Sequence, residues 1–277
     1  MRMKIISVTG YKKSGKTTLV EQLVRELSKH GSVGTVKHMP GHDLNPDGTD
    51  TRRYMNAGAR AVLGVTSNGS AKFIPGTDLG NALDELANSG MDYAVVEGFK
   101  DSRLPKIVLG DLELPDEVAR LDDAVDLTDE VLTNLLEIIE QQPEYHTLDS
   151  LIAKVRQNPR IAEAGAIGSF TGIVREKTGD VETKSLEFES YSEVAANKIS
   201  LIETDLKACE GILDARIHHH VGRIEAGQDI LYIVVAASHR QQLFQALSDA
   251  IERVKSEVPI WKKEYTTTGE FWVQDHQ

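Results

Sequence analysis

Cysteine is almost missing from this chain: Cys209 stands alone, which excludes an internal disulfide and a cysteine-based metal cluster. Its expected place is a small, partly buried position on a helix. Long apolar runs are missing too. No stretch approaches the roughly 18 consecutive apolar residues of a membrane helix, and Met1-Arg2-Met3-Lys4 passes straight into an apolar strand without a signal-type segment. A cytoplasmic protein with no membrane partner is therefore expected. Positive charge is in deficit, with 31 Lys and Arg against 43 Asp and Glu and a net charge of -12. That balance argues against a general nucleic-acid binder, which needs an extended basic surface, so any anionic ligand must be held by local clusters. Repeats and low-complexity tracts are absent. With 277 residues, 40% of them hydrophobic, the chain has length and apolar content for two ordinary domains.

What is present is first a phosphate-binding loop. The apolar run Lys4-Ile5-Ile6-Ser7-Val8-Thr9 leads directly into Gly10-Tyr11-Lys12-Lys13-Ser14-Gly15-Lys16-Thr17, a complete GxxxxGK[ST] pattern, and Thr18 to Val24 follows with apolar residues at helical spacing. Strand, loop and helix start in that order wrap backbone N–H groups around phosphates at a helix N-terminus. Gly10 and Gly15 permit the backbone conformations and close approach, with Lys13, Ser14 and Thr18 completing the nucleotide-binding set. Lys16 reaches the terminal phosphates and Thr17 ligates magnesium.

The pattern then alternates. Strands are expected at 32–37, 61–66 and 92–97, a hairpin turns at Ser67-Asn68-Gly69 into 71–74, a short helix at 51–57 is closed by Gly58, and a helix covers 77–89. Such alternation implies a mostly parallel sheet with helices on both faces, an α/β P-loop NTPase domain. From 111 to 140 the composition is acidic, with Arg120 the only basic residue, and a helix near 128–142 is stopped by Pro143. The domains are set at 1–142 and 147–277. In the second, helices are expected at 148–157, 193–209 and 240–258, and strands at 165–174, 185–191, 215–219 and 229–237, with an extended stretch around Phe271-Trp272-Val273. Two neighbouring strands ahead of the long helix suggest an α+β domain with antiparallel pairing.

Magnesium needs an acid besides Thr17. Glu97 ends its apolar strand where ligands bind in open α/β sheets, and Asp50 is the rival. Lys37-His38 with His42, Asp47 and Thr51 forms a candidate loop closing over phosphate or a partner. The Asn-Lys-x-Asp signature that reads guanine in regulatory GTPases is absent, so these residues leave the base open. Together, Gly10-x4-Gly15-Lys16-Thr17-Thr18-Leu19, Val36-Lys37-His38, Asp47-Gly48-x-Asp50-Thr51, Ala57-Gly58-Ala59 and Val96-Glu97-Gly98-Phe99-Lys100 resemble the MobB family of GTP-binding proteins in molybdenum-cofactor biosynthesis. The resemblance covers about residues 1–110. It implies GTP and Mg2+, weak or partner-dependent hydrolysis, and service to a MobA-type nucleotidyltransferase that attaches the guanine nucleotide to molybdopterin.

The second half gathers cations in an acidic chain: Arg175, His218-His219-His220, Ser238-His239-Arg240, Lys255 and Lys262-Lys263. Such groups could converge on an anion. Three adjacent histidines do not suit one metal, because alternate side chains of a strand point to opposite faces. His239-Arg240 falls where a strand meets a helix N-terminus, a place for phosphate. Pro259 should end the last helix, leaving Lys255 in its final turn and Lys262 on an extended segment anchored by Trp261. Two lysines brought together, or one partly desolvated, could act as nucleophile or general acid/base.

These motifs resemble the MoaE family, the catalytic large subunit of molybdopterin synthase. They are Gly165-Ala166-x3-Phe170-x-Gly172-x-Val174-Arg175, Leu186-x-Phe188-Glu189-x-Tyr191, Ser238-His239-Arg240-x3-Phe244, and Lys255-x3-Pro259-x-Trp261-Lys262-Lys263-Glu264 with Gly269-x2-Trp272-Val273. The match spans about residues 147–277 and implies an α+β, hammerhead-type fold. It implies conversion of cyclic pyranopterin monophosphate (precursor Z) to molybdopterin, with sulfur delivered as the C-terminal thiocarboxylate of a ubiquitin-like MoaD-type subunit. Carried over by motif, Lys255 and Lys262 are catalytic. Arg175, His239, Arg240, Lys263 and His219 bind the phosphate and pterin, and homodimers are implied for both halves. His220 stands where the family usually has Arg. The expectation is a bifunctional cofactor-biosynthesis protein. Its competitors are a first half that serves only as a nucleotide-dependent adapter without turnover, and a generic P-loop kinase joined to an unrelated module.

Overall fold

The computed structural model describes residues 3–122, 127–179, 181–190 and 192–273. The chain divides into two compact units, Met1–Tyr145 and His146–Gln277. No helix among the described residues is long and apolar enough to cross a membrane.

The first unit is built on β1 (Met3–Gly10), whose residues alternate between two apolar cores. Ile6 and Val8 face α1 (Lys16–Leu27), while Met3 and Ile5 face the other side. A strand buried on both faces must read as a continuous apolar run, and this one does. The strands β2 (Val33–Lys37), β3 (Val62–Thr66), β4 (Gly69–Phe73), β5 (Tyr93–Glu97), β6 (Lys106–Leu109), β7 (Glu117–Leu121) and β8 (Glu144–Tyr145) follow, with α2 (Asp50–Asn56), α3 (Leu79–Asn88) and α4 (Asp129–Glu140) between them. The sheet order is β2-β5-β1-β6-β7, parallel throughout, with β8 antiparallel to β1. Leu19, Val20, Leu23 and Leu27 line one stripe of α1 and, with Leu135 and Ile139 of α4, cover one face. Leu83 and Ala87 of α3 cover the other. The expected layers are therefore present. Neither β6 nor β7 is among the strands expected from the sequence: β6 is fully buried and just precedes the segment read as acidic, and β7, the half-exposed sheet edge, lies within it. Gly58 (φ 108) closes α2 in the left-handed conformation, and Ser67-Asn68 turns the β3–β4 hairpin.

Lys106 opens β6 wholly buried. Its Nζ donates to the carbonyls of Ser102 (2.5 Å), Leu104 (3.1 Å) and Pro115 (3.1 Å), with the Asp116 carboxylate 3.7 Å away. A buried ammonium is tolerable only with such full pairing.

The second unit contains α5 (Leu148–Arg156), β9 (Ala166–Ile173), β10 (Lys177–Thr178), β11 (Val181–Ser190), α6 (Ser192–Ala208), β12 (Ile212–His219), β13 (Gly222–Glu225), β14 (Asp229–Ala237), α7 (Arg240–Glu257), β15 (Ile260–Thr266) and β16 (Glu270–Val273). It is α+β with antiparallel pairing, in two sheets: β12-β14-β9, and β10-β11-β15-β16 with β13 also on β11. The two strands ahead of α6 are not paired with each other as expected, because β9 zips onto β14 and β11 onto β13 and β15. The β9–β14 pairing closes across α6 and the β11–β15 pairing across α6 and α7, so both are non-local. On the first sheet, α6 and α7 cover one face, with Ile202, Leu206, Leu243, Leu247 and Val254, and α5 covers the other through Leu151 and Val155. Tyr191, placed at the end of a strand by the sequence, lies outside the described residues. Cys209 is exposed just past α6, not partly buried as expected.

Replacing Lys106 by Met keeps the volume but leaves three carbonyls and a carboxylate without their cation. The expected cost is about 3 kcal/mol, read as a lower urea midpoint for the first unit.

Candidate functional site

The phosphate-binding loop is shaped by contacts no side chain could share. A Cβ on Gly10 would meet Ser14 Oγ at 2.6 Å and the Leu109 carbonyl of neighbouring β6 at 2.9 Å. Lys13 (φ 65) and Gly15 (φ 85) take the left-handed conformation that turns successive N–H groups inward. Gly15 caps α1 without any side-chain hydrogen bond, so the helix start is left to a ligand. Lys16 Nζ folds back on the loop, donating to the carbonyls of Gly10 (3.1 Å) and Tyr11. Burial lowers the Lys16 pKa, the Glu97 carboxylate opposes that shift, and Lys37 adds to it.

The strand register completes the site. Because β5 lies between β1 and β2, Glu97 stands beside Val8 on one side and Lys37 on the other. Thr17 Oγ1 lies 3.2 Å from both carboxylate oxygens of Glu97, and Lys37 Nζ reaches Glu97 Oε2 at 2.9 Å and Thr17 Oγ1 at 3.3 Å. A hydroxyl and a carboxylate are a hard, all-oxygen donor pair that fits magnesium. Asp50, the rival acid, opens α2 with its carboxylate 3.2 Å from Arg53, and nothing joins it to Thr17 or Glu97 in the structure. The loop after β2 is closed on itself: Thr49 and Thr51 donate to Asn45, while Arg52 holds Asp43 and, at 3.7 Å, Asp47. The His38 ring stacks on Phe99 at 4.4 Å. Lys13 and Thr18 are exposed, and Ser14 Oγ is buried without a hydrogen-bond partner.

In the second unit, register again sorts the expected residues. Across the first sheet Gly172, Leu231 and His219 lie in one row, and Arg175 follows two residues after β9 at that same end. Lys262 stands opposite Phe188 and so shares its face of the second sheet. Phe188 in turn receives the His219 ring edge-on at 5.1 Å. Lys255 sits in the last turn of α7, exposed, with Glu252 at 3.6 Å. It is thus in solvent, whereas Lys262 is half-buried. The chain from Val258 to Ile260 ties the two lysines to one core. His219 and Lys262 thus meet on Phe188, Arg175 lies past β9 at the His219 end of the first sheet, and Lys255 precedes Lys262 in the chain across the turn at Pro259.

Two expected ligands do not join them. His239 and Arg240 begin α7, and fifteen residues of helix set Arg240 roughly 22 Å from Lys255. Lys263 projects from the face opposite Lys262, ion-paired with Glu270 at 2.9 Å and lying 5.1 Å from the Tyr265 ring centroid. The convergence of all these cations on one anion is therefore not made within a single chain. Sequence reasoning missed Phe188 as the floor joining His219 to Lys262, and Lys37 as the partner of Glu97; both follow only from strand pairing.

The three histidines part as alternation requires. His219 turns to Phe188, while His218 and His220 share the other face with His146 (ring centroids 4.5 and 4.7 Å from His218) and Tyr232. Among the described residues no group of three His, Cys, Asp or Glu side chains is placed to hold a metal ion. Burial, reinforced by the charges of His146, His220, His219 and Lys154, lowers the His218 pKa to about 2. Burial also lowers His219 to about 4, against a hydrogen bond to the His220 carbonyl that raises it. Both groups bind protons more tightly when unfolded, so their stabilising contribution is whole above the ordinary 6.5 and is lost as pH falls from there through about 4 for His219 and about 2 for His218. Urea denaturation of the second unit between pH 7.5 and 4 should show a loss on the order of 3 kcal/mol, and His218→Leu should make the slope shallower.

Two family models match the chain: "Molybdopterin guanine dinucleotide synthesis protein B" over residues 5–128 and "MoaE protein" over residues 142–257. A probable molybdopterin synthase of Haloferax volcanii is 37% identical over 276 residues, covering 99% of this chain and 100% of that protein. A molybdopterin synthase catalytic subunit of Pyrococcus abyssi is 33% identical over 48% of this chain and 88% of its own length. A putative molybdopterin-guanine dinucleotide biosynthesis adapter protein of Methanocaldococcus jannaschii is 37% identical over 39% of this chain and 47% of its own length. Full-length identity to the Haloferax protein and the two successive family matches show that the chain belongs to the family of molybdenum-cofactor biosynthesis proteins that join a MobB domain to a MoaE domain.

Proposed function

We propose that the second domain, 147–277, is the catalytic subunit of a molybdopterin synthase, converting cyclic pyranopterin monophosphate to molybdopterin. The sulfur comes from the thiocarboxylated tail of a MoaD-type ubiquitin-like subunit, and the protein works in the cytoplasm. The observation that carries this reading is the meeting of His219 and Lys262 on Phe188, with Arg175 at the same end of the first sheet and Lys255 just ahead of Lys262 in the chain. Opening the cyclic phosphate and cleaving the acyl–sulfur bond both develop negative charge on oxygen, which fixed cations stabilise. Lys262, half-buried beside Phe188, is suited to hold or move a proton at Nζ, and Lys255 to meet the incoming carbonyl from solvent. The aromatic floor of Phe188 and the neutral His219 offer a flat apolar seat for a pterin ring.

The first domain, 1–142, is read as a GTP- and Mg2+-binding module assisting a MobA-type nucleotidyltransferase. Gly10, Lys13, Ser14, Gly15, Lys16 and Thr18 would cradle the phosphates, and Thr17 with Glu97 would hold magnesium, which neutralises phosphate charge when bound. Glu97 is preferred to Asp50 as the acid because it alone contacts Thr17, while Asp50 pairs with Arg53. Service as an adapter without turnover is favoured over kinase activity because the segment after β2 is closed by its own hydrogen bonds, Thr49 and Thr51 both donating to Asn45.

The length of α7 supports a homodimer with shared sites. Arg240 and His239 can join Lys255 and Lys262 around one substrate only if another copy supplies them. Lys255→Ala should lower molybdopterin formation about 100-fold or more while leaving nucleotide binding intact. The check is reconstitution with thiocarboxylated small subunit and precursor, and near-normal conversion would remove Lys255 from the mechanism. Mixing inactive Arg240→Ala and Lys255→Ala chains should recover about a quarter of wild-type activity if sites are shared, since half the dimers then hold one intact site. No recovery would confine the site to one chain.

A further inference from the structure

Lys37 ends β2 and belongs to the segment read from the sequence as closing over phosphate, without an assigned role at the magnesium pair itself. Its Nζ nevertheless sits 2.9 Å from Glu97 Oε2 and 3.3 Å from Thr17 Oγ1, touching the very two side chains suited to magnesium. The Glu97 side chain is only 13% exposed, and a carboxylate so placed requires a counter-charge. The Lys37 side chain, 46% exposed, supplies it from the solvent side and is free to leave without moving the backbone.

We infer that Lys37 is a stand-in cation: it neutralises Glu97 and orients Thr17 before the metal arrives, then yields both oxygens to magnesium and swings outward to the nucleotide phosphates. The inference rests on the reading of the first domain as a magnesium–nucleotide site. Magnesium takes oxygen ligands at about 2.1 Å in a near-octahedral shell, so an ammonium in contact with the same two oxygens cannot remain. Charge drives the exchange in the same direction. Lys16 already lies in the field of Glu97 and Lys37, and a divalent ion added to two ammonium groups around one carboxylate leaves Lys37, the more exposed, as the group to go. The phosphates bring the negative charge that receives it. The exchange also reaches the chain beyond β2. His38 donates its backbone N–H to the Glu97 carbonyl (2.9 Å) and stacks on Phe99, so the residues flanking Lys37 and Glu97 are tied across the same strand pair.

The test is a magnesium titration of the metal-stripped full-length protein with a fluorescent guanine nucleotide (mant-GTP). Removing a competing, partly exposed cation in Lys37→Met should lower the magnesium midpoint about three- to tenfold. In EDTA the same variant should hold the nucleotide more weakly than wild type. Lys37→Arg, which keeps the charge, should stay near wild type in both measurements. Equal midpoints for wild type and Lys37→Met, with wild type responding to magnesium, would overturn the inference. Absence of any nucleotide signal from wild type at every magnesium concentration would instead overturn the nucleotide reading beneath it.

Discussion

The backbone hydrogen bonds that hold β5 between β1 and β2 put Val8, Glu97 and Lys37 side by side at the carboxyl edge of the sheet. Everything chemical in the first domain hangs from that row. The phosphate-binding loop leaves the sheet two residues beyond Val8, so Thr17, at the start of α1, returns over Glu97. A slip of one residue in either pairing would turn Glu97 to the opposite face of the sheet. Register is held because both faces are buried: Ile6, Val8, Tyr93 and Val95 belong to one core and Met3, Ile5, Ala94 and Val96 to the other, so a slipped strand would exchange the two.

The second domain obeys the same constraint with antiparallel strands. The pairing of β11 with β15 sets Lys262 over Phe188 and sends Lys263 to the far face, where Glu270 takes it. Pairing of β9, β14 and β12 aligns Gly172 with His219 and so brings Arg175, just past β9, to that end of the sheet. Selection among neighbouring cations thus owes less to their chemistry than to whether each falls on an odd or an even position of its strand.

Local signals made much of this legible in the sequence. The phosphate-binding loop, the stripe on α1, the stop at Pro259 and the glycine closure of α2 are written within a few residues each, where spacing and backbone preference decide. Non-local features were hidden. That β9 pairs with β14 and not with β11 is decided between segments far apart in the chain, and β7 and β13 are short strands that carry little pattern of their own. The site was half visible for the same reason. Motifs named Lys255, Lys262, Arg175 and His219, but the length of α7 that parts Arg240 from Lys255 shows only once the helix is laid out as a rod. Cys209 was misplaced because helix periodicity carries no account of where the last turn stops.

Lys106 behaves, in effect, as an ion on a leash. Three carbonyls and a carboxylate around a positive charge resemble the shell that a monovalent metal ion gathers in a loop, yet here the cation is joined to the main chain by four methylenes. An exchangeable ion would make the corner between β5 and β6 depend on the surrounding potassium or sodium. A covalent one has an occupancy that does not vary with the medium. The edge of the sheet beside the phosphate-binding loop is therefore kept in shape at any ionic strength the chain meets.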